Sequence, residues 1–187
     1  MFKRLLRAPL TWAIVVVLAA GAGVGLYWFQ PWKLVTDQLV DEALPAVPAP
    51  SAASTTPSGS ASPSSTVAEQ PGIVRRGAFV SHEHKTSGSA ELVHLPDGRR
   101  QLVLRDLRTS NGPDLRVWLT DRPVVAGEAG WHVFDDGRWV ELARLKGNHG
   151  NQVYDIPGSV DVADLTSVSI WCKRFAVSFG AAELAPA

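Results

Sequence analysis

Ser89-Ala-Glu-Leu-Val-His-Leu-Pro-Asp-Gly-Arg-Arg-Gln-Leu-Val-Leu-Arg-Asp-Leu107 decides the fold class of this chain. Two short runs rich in branched aliphatic residues, 89–95 and 99–107, flank Pro96-Asp-Gly98. Proline presets φ, aspartate bonds nearby backbone, and glycine accepts positive φ, so the triplet reads as a hairpin turn. Strand side chains alternate between faces. Leu102, Leu104 and Asp106 therefore share one face of the second arm, and Val103 and Arg105 share the other.

The same pattern continues outward. Residues 77–81 read as a first strand. Asn111-Gly-Pro-Asp114 makes a turn before Leu115-Arg-Val-Trp-Leu-Thr120. There Leu115, Val117 and Leu119 alternate with Arg116, Trp118 and Thr120, as in a half-buried strand. Further runs cover 139–146, 152–156, 167–172 and 175–179, with the glycine-rich Gly147-Asn-His-Gly150 between the first two. No long helical period interrupts them, and 161–165 has room for one short turn. About eight strands predict an all-β domain over residues 72–187, an antiparallel β-sandwich, with a closed barrel as the alternative.

The N-terminal part is different. Residues 10–29 carry no charge, and as a helix they span about 30 Å, the thickness of a bilayer's hydrocarbon. Trp12 lies near one end; Tyr27, Trp28 and Trp32 lie at the other, where aromatic rings favour the membrane interface. Lys3, Arg4 and Arg7 sit in a basic tail, residues 1–9, and only Lys33 follows closely. That asymmetry leaves the N-terminus in the cytoplasm and the rest outside, as a signal-anchor with an extracytoplasmic C-terminal domain. A cleaved signal peptide ending near Ala20-Gly-Ala22 is the competing reading. Gly21 and Gly25 have the G-x-x-x-G spacing that lets two membrane helices approach, which allows a homodimer, but the preferred reading is ordinary glycine usage in a membrane helix.

Residues 30–44 read as a short juxtamembrane amphipathic helix, with Trp32, Val35 and Leu39 on one face, or as an irregular lead-in. Residues 45–71 are rich in Pro, Ala, Ser and Thr with Glu69 as the one charge, the composition of a disordered, semi-extended linker. Formal net charge is zero, and the balance holds within residues 72–187. Nothing favours nucleic acid, which needs clustered positive charge. No nucleophile elbow, phosphate loop or metalloprotease helix is present.

The chain has one cysteine, Cys172. Free thiols oxidise outside cells, so a lone exported cysteine is an inert core filler, an intermolecular linker, a cofactor ligand or a redox thiol. Val168, Ile170 and Cys172 share one parity, whereas Phe175, Val177 and Phe179 take the other. A strand changes face only through an extra residue or a bend, which predicts one at residues 172–174, with Trp171 on the face opposite Cys172. Lys173 and Arg174 favour the thiolate; burial beside Val168 and Ile170 opposes it.

Histidines 82 and 84 would share a face on a strand, a pairing that suits zinc or copper, but without further ligands at a recognised spacing they read as exposed loop residues. His149 reads as part of a turn. Trp118, Trp171 and Tyr154 read as core or interface aromatics.

Five segments occur in order: Gly77-Ala-Phe79; His84-Lys-Thr-Ser-Gly-Ser-Ala90; Asn111-Gly-Pro-Asp-Leu115; Leu145-Lys-Gly-Asn-His-Gly-Asn-Gln-Val-Tyr-Asp-Ile-Pro157; and Ser167-Val-Ser-Ile-Trp-Cys172 followed by Phe175-Ala-Val-Ser-Phe179. Together, over roughly residues 74–184, they resemble the DM-thirteen electron-transfer domain of the Skeletor type, found also in bacterial envelope proteins. The resemblance implies a DOMON-related β-sandwich and a role in electron transfer or cell-surface redox chemistry. It implies that Cys172 acts as a bare redox thiol or as a ligand for haem or another prosthetic group. In the haem case His84, which lies in the opening motif, is the candidate second ligand.

The expectation is thus a single-pass membrane protein, held in the bilayer by residues 10–29, carrying an extracytoplasmic redox module that meets an unidentified redox partner protein. The alternative is a non-catalytic binding or adhesion sandwich with a buried, inert Cys172.

Overall fold

A computed structural model describes residues 9–46 and 71–187. Helix α1 spans Pro9–Phe29 and no residue in it is buried. With the turn after it, this apolar stretch has a mean hydropathy of 2.0 and is long enough to cross a bilayer. A 3-10 turn, Pro31–Val35, follows.

Ten strands come next: β1 Leu39–Asp41, β2 Gly72–Ser81, β3 Ser87–His94, β4 Arg100–Arg108, β5 Leu115–Thr120, β6 Trp139–Arg144, β7 His149–Ile156, β8 Ser167–Cys172, β9 Val177–Glu183 and β10 Ala185–Pro186. They pair in the order β1-β7-β4-β3-β2-β9-β8-β5-β6, with β10 added to β2. Every pairing is antiparallel except β1 with β7. β2 belongs to both layers: its first part pairs with β3, and Phe79, Val80 and Ser81 pair with β9. The ladder curls at that strand into a β-sandwich, as expected.

The β3–β4 hairpin forms as the sequence requires. Gly98 has φ 80°, Asp97 accepts from the Arg99 amide at 3.0 Å, and Leu95 donates to the Arg99 carbonyl at 2.8 Å. Leu102 and Leu104 enter the core, but Asp106 does not share their face. A bulge puts Asp106 at φ 51°, turns its side chain outward, and brings Leu107 into the core instead. The Asp106 amide donates to Asn151 Oδ1 at 2.9 Å, which holds the bulge.

One core lies between the layers, with Leu92, Leu104 and Tyr154 from one and Val117, Ile170 and Phe179 from the other. β5 is not half-buried. Its outer face and that of β8 are covered by the 121–138 loop, so Trp118, Trp171 and Phe134 form a second cluster. Trp118 stacks between Trp139 and Trp171, with ring centres 4.0 and 4.9 Å away.

The juxtamembrane segment is not an amphipathic helix. After the 3-10 turn it extends as β1 alongside β7. Gln38 donates its amide to Asn148 Oδ1 at 2.7 Å, and Glu42 takes Lys146 Nζ at 2.8 Å and the Val153 amide at 2.7 Å. Most of the linker, residues 47–70, lies outside the described residues. The chain is already part of the sandwich on both sides of it, in β1 and in β2, so the linker joins two strands rather than helix to sandwich.

Candidate functional site

Cys172 ends β8, where the chain reverses into β9. The change of apolar parity is a hairpin turn over residues 173–176, not a bulge inside one strand. Lys173 donates its amide to Asp114 O at 3.0 Å and Phe175 to Cys172 O at 3.2 Å; Ala176 has φ 50°. A register shift between Ile170 and Trp171 sets Phe179 as the extra residue of β9. It is Phe179, on the neighbouring strand, that carries the irregularity.

The thiol is free and fully enclosed. Backbone groups of Asp114, Arg174 and Phe175 lie around it, and the charge of Glu83 reaches it. Burial pushes the Cys172 thiol up. Backbone N–H groups of Phe175, Arg174 and Asp114 favour the thiolate without reversing the shift, and the charge of Glu83 adds to it. Burial thus outweighs the positive neighbours. The two cations are engaged elsewhere: Lys173 Nζ reaches Glu141 at 3.2 Å, and Arg174 donates to the Tyr27 and Trp28 carbonyls at 3.1 and 2.6 Å.

Asp114 is held in the same loop. Burial raises its pKa, but Arg116 at 2.8 Å and Arg144 at 3.4 Å, with Arg174 beyond, hold the carboxyl below the usual range.

Histidines 82 and 84 do not share a face, because residues 82–84 bend away from β2. His82 is buried, not exposed: Nδ1 is 2.8 Å from Ser178 Oγ, Nε2 is 3.1 Å from Val125 O, and Ser178 is 3.0 Å from Ser169 Oγ. Burial lowers its pKa, with the Val125 carbonyl opposing. His84 packs on Phe179 with ring centres 3.9 Å apart and the planes tilted by 41°, and its Nε2 is 3.7 Å from Glu83.

Beside the enclosed sulfur lies a cleft of about 240 Å³, walled by Phe29, Pro31, His84, Pro113, Phe175 and Phe179 among others. Phe29 stacks on Phe175 at 5.7 Å. Cys172 is not part of this wall. The two proposed haem ligands therefore face no common space: one is sealed beneath the turn, and the other has a ring face covered by Phe179. As placed, they do not fit a haem held between them.

The glycine-rich turn has a structural task. Gln152 Oε1 accepts from the Lys146 amide at 3.2 Å and Tyr154 Oη at 2.6 Å, and Gln152 Nε2 donates to Gly147 O at 2.7 Å. Asn148 Nδ2 donates to Thr109 O at 2.9 Å, and Thr109 meets Thr86 Oγ1, also at 2.9 Å. Thr86 in turn donates to Phe179 O at 2.9 Å. This chain ties the turn to the strand beside Cys172. The contribution of α1 was not readable from the motifs, because Phe29 and Arg174 lie far apart in sequence and only the fold joins them.

Comparisons with curated proteins and with solved structures returned no match. A family model described as "Electron transfer DM13" matches residues 78–184, more than half of the chain. The matched span runs from within β2 to just past β9 and contains Glu83, Asp114, Cys172 and the 173–176 turn. On that match the chain belongs to the DM13 electron-transfer family.

Proposed function

We propose that this protein is a single-pass membrane protein, N-terminus inside, whose sandwich acts outside the cytoplasm as an electron-transfer module with Cys172 as its redox thiol. Family membership supports electron transfer, and α1 supports the anchor. The role of Cys172 is supported by its place as a free thiol at the end of β8, where the chain turns into β9 inside the family match. Backbone groups of Phe175, Arg174 and Asp114 favour its thiolate, against the burial that raises its pKa. In the closed arrangement the sulfur is a protonated thiol. Reaction requires the 173–176 turn to lift; the thiolate then attacks a disulfide sulfur of a redox partner protein, and the partner's other sulfur leaves as thiolate.

Full burial favours a second reading, a binding or adhesion sandwich in which Cys172 is core filling. Alkylation of the folded full chain in vesicles separates the two. Labelling at neutral pH without unfolding, together with loss of thiol–disulfide exchange in Cys172→Ser, is the result expected for the redox reading. A thiol that reacts only in denaturant establishes the second.

A further inference from the structure

We propose that the cleft between the end of α1 and the sandwich binds the head group of a lipid-soluble quinone. The inference rests on the electron-transfer reading and names its membrane-borne partner. Three observations carry it.

The first is position. One wall of the cleft is the chain leaving α1, Phe29 to Lys33, and the opposite wall is the turn over Cys172. A bilayer spanned by α1 puts this cleft at the boundary between hydrocarbon and head groups. A carrier dissolved in the membrane reaches it without crossing water.

The second is shape. Phe29, Phe175, Phe179, His84 and two prolines present flat apolar surfaces, the lining that suits a planar ring. At about 240 Å³ the space is below the usual range for a large cofactor and matches a small head group.

The third is polarity. Lys33 lines the cleft, and its ammonium makes no hydrogen bond or ion pair among the described residues. His84 lies beside it in the wall with Glu83 at 3.7 Å. A bare acyl chain filling the cleft leaves the Lys33 ammonium desolvated and unpaired, which is costly. A quinone brings carbonyl oxygens that accept from Lys33 and from a ring N–H of His84. The proposal concerns binding, so it does not depend on the chemistry of the thiol.

The test uses the full chain in vesicles with a photoactivatable azidoquinone and decylubiquinone as competitor. Labelling of peptides carrying residues 29–33 or 173–179, competed by decylubiquinone and not by decanol, is expected. Phe175→Ala removes a partly exposed ring, leaves the core intact, and is expected to weaken competition about fivefold. Lys33→Ala weakens it in the same direction. Competition by decanol equal to that by decylubiquinone means an acyl-chain groove and overturns the proposal. Labelling spread along α1, or an unchanged Phe175→Ala, also overturns it. Cys172→Ser is expected to bind normally, so a failed thiol role and a failed quinone site give different results.

Discussion

Arg174 Nη1 lies 2.6 Å from the carbonyl oxygen of Trp28, so a residue of the turn over Cys172 caps the end of the apolar helix. It also meets Tyr27 O at 3.1 Å, and its guanidinium carbon lies 5.3 Å from the Trp28 ring centre. The last carbonyls of a helix have no partner within it and carry partial negative charge, which a cation satisfies. The capping residue also belongs to the turn that follows Cys172, so one side chain touches both the helix end and that turn.

Arg174→Gln weakens that link. A cation at a helix C-terminus contributes about 0.3–1 kcal/mol. If it holds the turn closed, its loss raises the Cys172 alkylation rate up to about fivefold at neutral pH. Timed maleimide labelling of the full chain in vesicles checks this; an unchanged rate means that the turn opens independently of α1.

Two groups make the protein less stable as pH rises. Burial raises both the Cys172 thiol and the Tyr154 phenol in the folded state. The unfolded groups ionise first, at about 8.5 and about 10, so above each value the unfolded chain binds fewer protons and stability falls. Cys172→Ala is expected to remove the first alkaline loss and Tyr154→Phe the second. Urea midpoints at pH 7.5, 9.5 and 11 measure both.

His82 acts in the opposite direction. Its folded pKa is lowered by burial, so on acidification the unfolded chain takes up the proton first. The stability it contributes is complete above about pH 6.5 and falls as pH drops toward the folded value. Urea midpoints between pH 7.5 and 5.5 should decline in the parent protein and decline less in His82→Gln.

Gly150→Ala should release β1. Gly150 has φ 101°, and a Cβ there would fall 2.0 Å from Val40 O. Left-handed backbone alone costs an L-residue about 1–2 kcal/mol, and the clash forces the strands apart. Amide exchange should accelerate at residues 38–42 while β4 stays protected. Equal protection at both would show that β1 is not seated on this glycine.

The sandwich was legible where local signals agreed. Alternation in 115–120, the turn at Pro96-Asp-Gly98 and the paired runs around Cys172 are short-range patterns, and the strands fall where they point. Asp106 departs from the alternation because a bulge depends on the partner strand: Asn151 holds the extra residue. His82 reads as exposed from its local sequence because its partners, Ser178 and Val125, come from distant parts of the chain. Residues 39–41 read as helical from local spacing because a short edge strand borrows its hydrogen bonds from β7, where Gly147 just before the strand and Gly150 within it leave room.

The sequence alone determined an apolar span, a β-rich domain and a single sulfur between a tryptophan and two cations, because these follow from composition and from the period of side chains along a strand. Tertiary structure alone decided that the sulfur is enclosed, that burial outweighs the cations, and that the turn covering it rests against α1. Those outcomes are sums over groups brought together from distant positions, and local spacing carries no record of such distances.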